Sequence, residues 1–223
     1  MPHLARLNNQ GQYNAWSTDT SNSFIQVSAA GDSGFLWDSC GPSSYLMTST
    51  CSGGLPAAGC DWPRCSLPLG MESGAIEDHR ITASSTASSW YSGPWTPSLA
   101  RLNRRGNINA WQAKNNNMNQ WLQVELPQVK KITGIITQGA KSLGKEMFVD
   151  SYSLQYSNDG IRWIDYTDDE DSLYKTFSGN TNNNDHVKNY IYPPIFSRFI
   201  RIIPRNWTSS ITMRIELLGC DFE

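Results

Sequence analysis

The sequence predicts an all-β domain, an antiparallel sandwich or barrel, on three observations. From Trp121 onward the chain breaks into short apolar segments at 121–126, 131–138, 148–156, 161–166, 187–192, 198–203 and 211–218. Their β-branched and aromatic content is that of strands. Turn formers punctuate them at Asn158-Asp159-Gly160, Gly179-Asn180 and Pro193-Pro194, and no long helical period competes. In 211–218, Ile211, Met213, Ile215 and Leu217 alternate with Thr212, Arg214 and Glu216, which predicts one buried and one polar face.

The chain also repeats itself. Leu4-Ala5-Arg6-Leu7-Asn8, Gly11 and Asn14-Ala15-Trp16 recur 95 residues later as Leu99-Ala100-Arg101-Leu102-Asn103, Gly106 and Asn109-Ala110-Trp111. Each copy is followed by an apolar pair before a Gln-Val step, Phe24-Ile25-Gln26-Val27 and Trp121-Leu122-Gln123-Val124. Such self-similarity marks tandem domains of one kind. The domain holding the second copy runs from Cys65 to Cys220, so a complete first domain does not fit before it. Residues 1–27 are therefore expected to be a fragment of a preceding domain. Residues 28–64, rich in Ser, Gly, Thr, Cys and Pro with neither strand nor helix period, read as an irregular linker, disordered or wrongly assigned. The domain proper is 65–220, with 221–223 a short tail.

A chain of that length buries roughly 70% of its unfolded surface without help from a metal. No run approaches the ~20 apolar residues of a membrane span, and Met1-Pro2-His3 opens no signal-peptide core, so a secretory leader is expected further upstream. Of the five cysteines, Cys65 and Cys220 bracket the domain and predict a terminal clasp. Closing so long a loop stabilises by up to about 4–5 kcal/mol on the chain-entropy account and requires an oxidising compartment. The sequon Asn206-Trp207-Thr208 points outside the cell too. Cys40, Cys51 and Cys60 form an odd set that fits no zinc pattern.

Catalysis, cofactors and metals find no support. The histidines, His3, His79 and His186, stand in no nucleophile or zinc spacing. Asp168-Asp169-Glu170-Asp171 lacks the alternation of a calcium loop and reads as a solvated turn. Arg104-Arg105 and Lys130-Lys131 belong to a domain that is neutral overall and shows no nucleic-acid reader motif.

Charge is nevertheless uneven. Residues 80–145 carry nine Lys or Arg against Glu125, whereas 146–185 carry nine acids against Arg162 and Lys175. Either the blocks occupy opposite ends of the fold, giving a dipolar domain, or they interleave as solvated pairs. The basic half also holds Trp90, Tyr91 and Trp95 in a loop of Ser, Ala, Gly and Pro. Loop aromatics either cap the core or protrude as anchors. Trp95, near Pro97 and Leu99, is expected to cap, and Trp90 and Tyr91 to protrude. In Lys141-Ser142-Leu143-Gly144-Lys145 an apolar tip stands between two lysines, the pattern of a wedge with a cationic collar.

Several stretches carry a family resemblance: Cys65-Ser66-Leu67-Pro68-Leu69-Gly70-Met71-Glu72, Arg80-Ile81-Thr82-Ala83-Ser84-Ser85, Ala100-Arg101-Leu102, Asn109-Ala110-Trp111, Ile136-Thr137-Gln138-Gly139-Ala140, Ser197-Arg198-Phe199-Ile200-Arg201 and Glu216-Leu217-Leu218-Gly219-Cys220. Together they resemble the discoidin or factor V/VIII C-type domain across 65–223. Trp111-Gln112-Ala113-Lys114, Lys141-Ser142-Leu143, His186-Val187-Lys188-Asn189 and Gly219-Cys220-Asp221 most resemble the last such domain of a blood-coagulation cofactor. Residues 3–27 resemble part of the domain before it.

The resemblance implies an eight-stranded jellyroll-like barrel closed by Cys65–Cys220, with loops at one end that enter phosphatidylserine membranes. Trp90, Tyr91 and Leu143 would insert; Arg105, Lys114, Lys141 and Ser142 would contact headgroups. It further implies a secreted, non-catalytic module, peripheral on the outer face of the plasma membrane, whose parent engages other coagulation proteins. The resemblance to the coagulation-cofactor domain further implies lysines where this chain has Ala87, Ser88 and Asn119, and a second Trp where it has Tyr91. These departures predict lower affinity or stronger reliance on insertion.

Each well-buried apolar group gains ~1.5–3 kcal/mol at the acyl boundary. Cations such as Lys114, Lys141 and Lys145 add about 1 kcal/mol each near an anionic surface. Ser142 and Asn115-Asn116-Asn117 are candidates for headgroup selectivity. The competing expectation is a cell-adhesion module that binds protein or glycan through the same loops, which an acidic or polar loop end would favour.

Overall fold

The computed structural model describes residues 65–89, 93–168 and 173–222, together with the backbone of Arg6–Leu7 paired antiparallel to Tyr13–Asn14. The chain divides into two compact units, Met1–Leu55 and Pro56–Glu223. The rest of the expected fragment at 1–27, the linker at 28–64 and Cys40, Cys51 and Cys60 lie outside the described residues, as do three of the four residues of the acidic run.

Four long strands build the second unit: β1 (Leu122–Gln138), β2 (Lys145–Ser157), β3 (Val187–Thr208) and β4 (Thr212–Asp221). They pair antiparallel in the order β2-β3-β1-β4, with Ile164–Asp165 beyond β2 and Leu67–Pro68 beyond β4. β1 changes one neighbour midway. Leu122–Val124 lies between Ile81–Ala83 and the 200–202 stretch of β3, and residues 132–138 lie between β3 and β4. The sheet therefore curls on itself and closes its apolar faces around one core, in which Trp111, Leu122, Ile135, Tyr152, Ile200 and Ile215 are fully buried. Each such side chain stabilises by roughly 1.5–3 kcal/mol. The buried Tyr152 hydroxyl accepts from Asn189 Nδ2 at 3.0 Å, and burial pushes its pKa above the usual phenol range.

The all-β expectation is met, but its segmentation changes. The segments 121–126 and 131–138 are halves of β1, and 187–192 and 198–203 are parts of β3. Pro193 and Pro194 read as a break because proline donates no ladder hydrogen bond. They occupy a register shift in which Tyr190 faces Gly134 and Ile195 faces Ile132, where no such bond is required of them. The expected strand 161–166 contracts to Ile164–Asp165. Asp159 captures the preceding turn, its Oδ1 accepting from the Ile161 and Arg162 N–H groups at 2.8 Å, an Asx turn that competes with strand. Those two N–H groups, that of Arg162 first, hold the Asp159 carboxyl well below the usual carboxylate range.

The larger correction concerns β4. Its apolar face is buried as expected, but Thr212, Arg214 and Glu216 on the other face are buried as well. Loops cover that face, and the two charged residues tie them down. Glu216 accepts from the N–H groups of Gly70, Met71 and Glu72 at 3.2, 3.0 and 2.9 Å. Arg101, itself buried, donates to the carbonyls of Met71 and Ile76 at 2.7 Å and to Asp78 at 2.5 Å. Arg214 donates through Nε and Nη2 to the Gly139 carbonyl at 2.8 and 2.6 Å. Its Nη1 reaches the Arg104 carbonyl at 2.9 Å, and Nη2 also reaches that of Asn183 at 3.1 Å. Burial lowers the Arg214 pKa from its ordinary value. A hydrophobic alternation thus reports a buried apolar face, but a polar alternate face is solvated only where nothing packs on it.

Cys65 and Cys220 form the disulfide, with Cα atoms 4.7 Å apart and 155 residues between their positions in sequence. Replacing both by serine is expected to cost about 2–5 kcal/mol, read as a lower urea midpoint. Arg214→Met keeps the aliphatic bulk but strands the buried Gly139 carbonyl and the part-buried carbonyls of Arg104 and Asn183. It should destabilise by about 3 kcal/mol or more. Arg214→Lys should rescue little, because a point ammonium cannot fork to three acceptors. Chemical denaturation of both variants checks this.

Candidate functional site

β1 ends at Gln138, β2 begins at Lys145, β3 ends at Thr208 and β4 begins at Thr212. The registers Phe148↔Thr208 and Arg214↔Gln138 place all four ends together, at the end of the barrel away from the disulfide. The β1–β2 and β3–β4 loops, the end of the β2–β3 connection and the loops at 84–89 with 93–96, 102–107 and 113–120 meet there. A small second core binds their roots. Trp95, Ala110, Ala140 and Met147 are buried against one another, with Ile108 packed alongside. Trp95 is thus the cap expected of it. It anchors the hairpin Ser88–Ser89 with Gly93–Pro94, and its N–H donates to the Ala87 carbonyl at 2.9 Å. The same core holds the neighbouring hairpin, Ala140–Ser142 with Lys145–Met147. There is no room for slack at its start: a Cβ on Gly139 would stand 2.7 Å from the Met147 carbonyl oxygen.

At the tip of that second hairpin, Leu143 is 83% exposed and has a φ of +48°, followed by Gly144 at +81°. Two positive φ values in a two-residue turn suit Asn-Gly, not a bulky aliphatic. A leucine held in the left-handed region costs on the order of 1 kcal/mol, and its exposure gains nothing in the folded domain. Folding stability would not choose leucine here on either count. Lys141 and Lys145 beside it are exposed, and Ser142 is half-buried opposite Lys145 in register.

The other sequence-predicted residues distribute over the same end. Trp90 and Tyr91 lie outside the described residues; the hairpin legs that flank them are described. Arg105 is exposed in the loop whose Arg104 carbonyl Arg214 holds, and with Arg104 and Glu72 it rims an open groove. Lys114 is exposed, its N–H donating to Ser85 Oγ at 3.0 Å. Of the asparagines considered for headgroup selectivity, two do structural work instead. Asn116 Oδ1 accepts from the Ile211 N–H at 2.9 Å. Asn117 Oδ1 accepts from the Asn119 N–H at 3.0 Å and from Gln120 Nε2 at 2.8 Å. Sequence reasoning missed Met118, 56% exposed in this loop. A lone apolar residue among four asparagines was the signal available. Asn206 is exposed on β3, and the Thr208 hydroxyl of its sequon donates to Asp150 Oδ1 at 3.1 Å.

Electrostatically the end is polarised without being uniform. Among the described residues Arg104, Arg105, Lys114, Lys141 and Lys145 join no ion pair. Glu125, the acid of the basic block, is already shared by Arg80 at 3.0 Å and Arg198 at 2.5 Å. Arg162 and Lys175 pair within the acidic block, with Asp159 and Asp168. Carboxylates still intrude: Glu146 faces Lys141 across the hairpin, and Asp150 and Asp185 lie nearby. No group of three or more His, Cys, Asp or Glu among the described residues is placed to hold a metal, and no described helix is long and apolar enough to cross a membrane.

Known proteins share this architecture. The F5/8 type C domain description matches residues 80–217. Coagulation factor V of Mus musculus is 55% identical over 167 residues, covering 75% of this chain and 8% of the relative. The venom prothrombin activator pseutarin-C non-catalytic subunit of Pseudonaja textilis is 53% identical over 163 residues, covering 73% of this chain and 11% of that protein. The EGF-like repeat and discoidin I-like domain-containing protein 3 of Mus musculus is 51% identical, with 73% of this chain and 34% of that protein covered. The chain thus spans about a tenth of its coagulation relatives' length. In fold it is similar to the recombinant discoidin II of Dictyostelium discoideum, at a TM-score of 0.50 and 22% identity over 64% of this chain and 56% of that one. On these grounds the chain belongs to the F5/8 type C, or discoidin, domain family and is a non-catalytic binding module.

Proposed function

We propose that the loop end of this domain docks on phosphatidylserine-containing membranes and anchors a coagulation cofactor there. The observation that carries the reading is Leu143, a solvent-exposed leucine in a strained turn between two unpaired lysines. An aliphatic tip with a cationic collar matches an interface that is apolar in depth and anionic at its surface. Trp90 and Tyr91 supply a second insertion point from the neighbouring hairpin. Arg105, Lys114, Lys141 and Lys145 attract the headgroups, and Ser142 offers a hydroxyl between two of them. In the same reading residues 65–220 are the binding domain, 1–27 derive from a preceding domain of the same kind, and the parent is extracellular, with Asn206 available for glycosylation. Partners among other coagulation proteins would be met through that parent.

The carboxylates Glu146, Asp150 and Asp185 give the loop end enough acidic character to keep a second reading open, a cell-adhesion module for protein or glycan. Vesicle sedimentation separates the two. Binding should require phosphatidylserine and weaken steeply between 0.05 and 0.5 M salt, since exposed charges are screened within about 10 Å at 0.1 M. Binding indifferent to phosphatidylserine would transfer the case to adhesion. Leu143→Ser should weaken vesicle affinity about tenfold or more without lowering the urea midpoint, because removing a strained exposed leucine costs the fold nothing. The Trp90→Ala/Tyr91→Ala double variant should abolish binding while remaining folded. Vesicle binding as strong as that of the unsubstituted chain would remove the first hairpin from the site.

A further inference from the structure

We infer that Met118 is an additional apolar membrane anchor, presented by the rigid asparagine loop 114–120 beside Lys114; the inference rests on the membrane reading above. The loop is held from two sides. Toward the first hairpin, Ser84 Oγ and Ser85 Oγ donate to Gln120 Oε1 at 2.8 and 2.5 Å, and the Lys114 N–H donates to Ser85 Oγ at 3.0 Å. Toward the β3–β4 turn, Asn116 Nδ2 donates to the Ser209 carbonyl at 3.4 Å, while its Oδ1 takes the Ile211 N–H at 2.9 Å. Inside the loop, Asn117 closes a turn on Asn119 and Gln120. The polar side chains on either side of Met118 therefore fix the backbone, and the thioether is left 56% exposed at its crown.

Met118 belongs to neither hydrophobic cluster among the described residues, whereas Met71, Met147 and Met213 are buried. Its loop, like that of Leu143, carries an aliphatic side chain and an exposed lysine, Lys114, that joins no ion pair among the described residues. Methionine is unbranched and adaptable, so it suits a disordered acyl layer better than a shaped protein pocket. Because the loop is fixed before contact, little ordering entropy opposes insertion.

The test uses the full chain with ε-13C-methyl methionine labelling. The six methionine methyls are Met1, Met47, Met71, Met118, Met147 and Met213, and Met118→Leu assigns the one in question. On nanodiscs of phosphatidylserine and phosphatidylcholine carrying doxyl-chain lipid, the Met118 methyl should broaden, while those of buried Met71 and Met213 should not. Met118→Ser should weaken affinity for phosphatidylserine vesicles by about three- to tenfold, and Met118→Leu should leave it within about twofold. A chain that binds these vesicles in a Leu143-dependent way, yet shows a sharp Met118 methyl and an unchanged Met118→Ser affinity, overturns this inference alone. Failure of the unsubstituted chain to bind overturns the membrane reading and the inference together.

Discussion

The loop end of this domain depends on one buried guanidinium. Arg214 sits on β4, inside the sheet, and its donors end on carbonyls of three different loops, at Gly139, Arg104 and Asn183. Carbonyls withdrawn from water without donors are costly, and one arginine fork satisfies the buried carbonyl of Gly139 and the part-buried ones of Arg104 and Asn183 in fixed directions. The consequence is geometric: the second hairpin, the arginine loop and the asparagine turn at 182–185 are referred to the same strand. Glu216, two residues on and on the same face, does the reciprocal work with backbone N–H groups of the 70–72 segment. β4 therefore serves as a spine whose polar face binds loops and whose apolar face fills the core.

Around that spine the structure separates stability from function. The main core and the disulfide hold the barrel, and the Trp95 cluster with Arg214 holds the loop roots. Beyond the roots, Leu143 and Met118 stand largely exposed, outside both hydrophobic clusters of the described residues, so a residue unfavourable to folding is tolerated there. Leu143 is both strained and exposed, and Met118 crowns a polar loop. Neither contributes contacts the fold would miss. A residue that costs the folded state and is retained on a rigid support is better explained by what it meets outside the molecule.

The sequence revealed these features unevenly, for physical reasons. Alternation along β4 and the β-branched runs announced an all-β fold, and the Leu143 tip was legible because an apolar residue between two lysines breaks the pattern of a solvated turn. Trp95 was legible through its Pro and Leu neighbours. The buried state of Arg214 and Glu216 was not, because alternation is a local signal and the loops that cover their face arrive from positions 69–80, 101–105 and 139–140. Asn116 and Asn117 misled in the opposite direction: polar loop side chains read as ligand donors, whereas the structure commits Asn116 to the backbone of the distant Ile211 and Asn117 to a turn within its own loop. Asp159 erased most of a strand by a contact two and three residues away.

The arrangement of apolar tips also bears on the kind of partner. One contiguous patch of leucine, methionine and aromatic side chains would aggregate the protein in water. Here Leu143 and Met118 stand on separate loops whose neighbouring residues are lysines, serine, glycine and asparagines, so each is small as a patch. A convex protein partner would meet one tip at a time, whereas a deformable sheet of lipid meets them together. In the proposed reading their contributions would add as linked contacts, each raising the effective concentration of the next. In the proposed membrane reading, cations set among carboxylates such as Glu146 and Asp150 would supply a short-ranged attraction that salt screens, leaving depth of insertion to decide how long the domain stays bound. In that same reading, Ala87, Ser88 and Asn119 add no charge to these loops, which would shift the balance further toward the apolar tips.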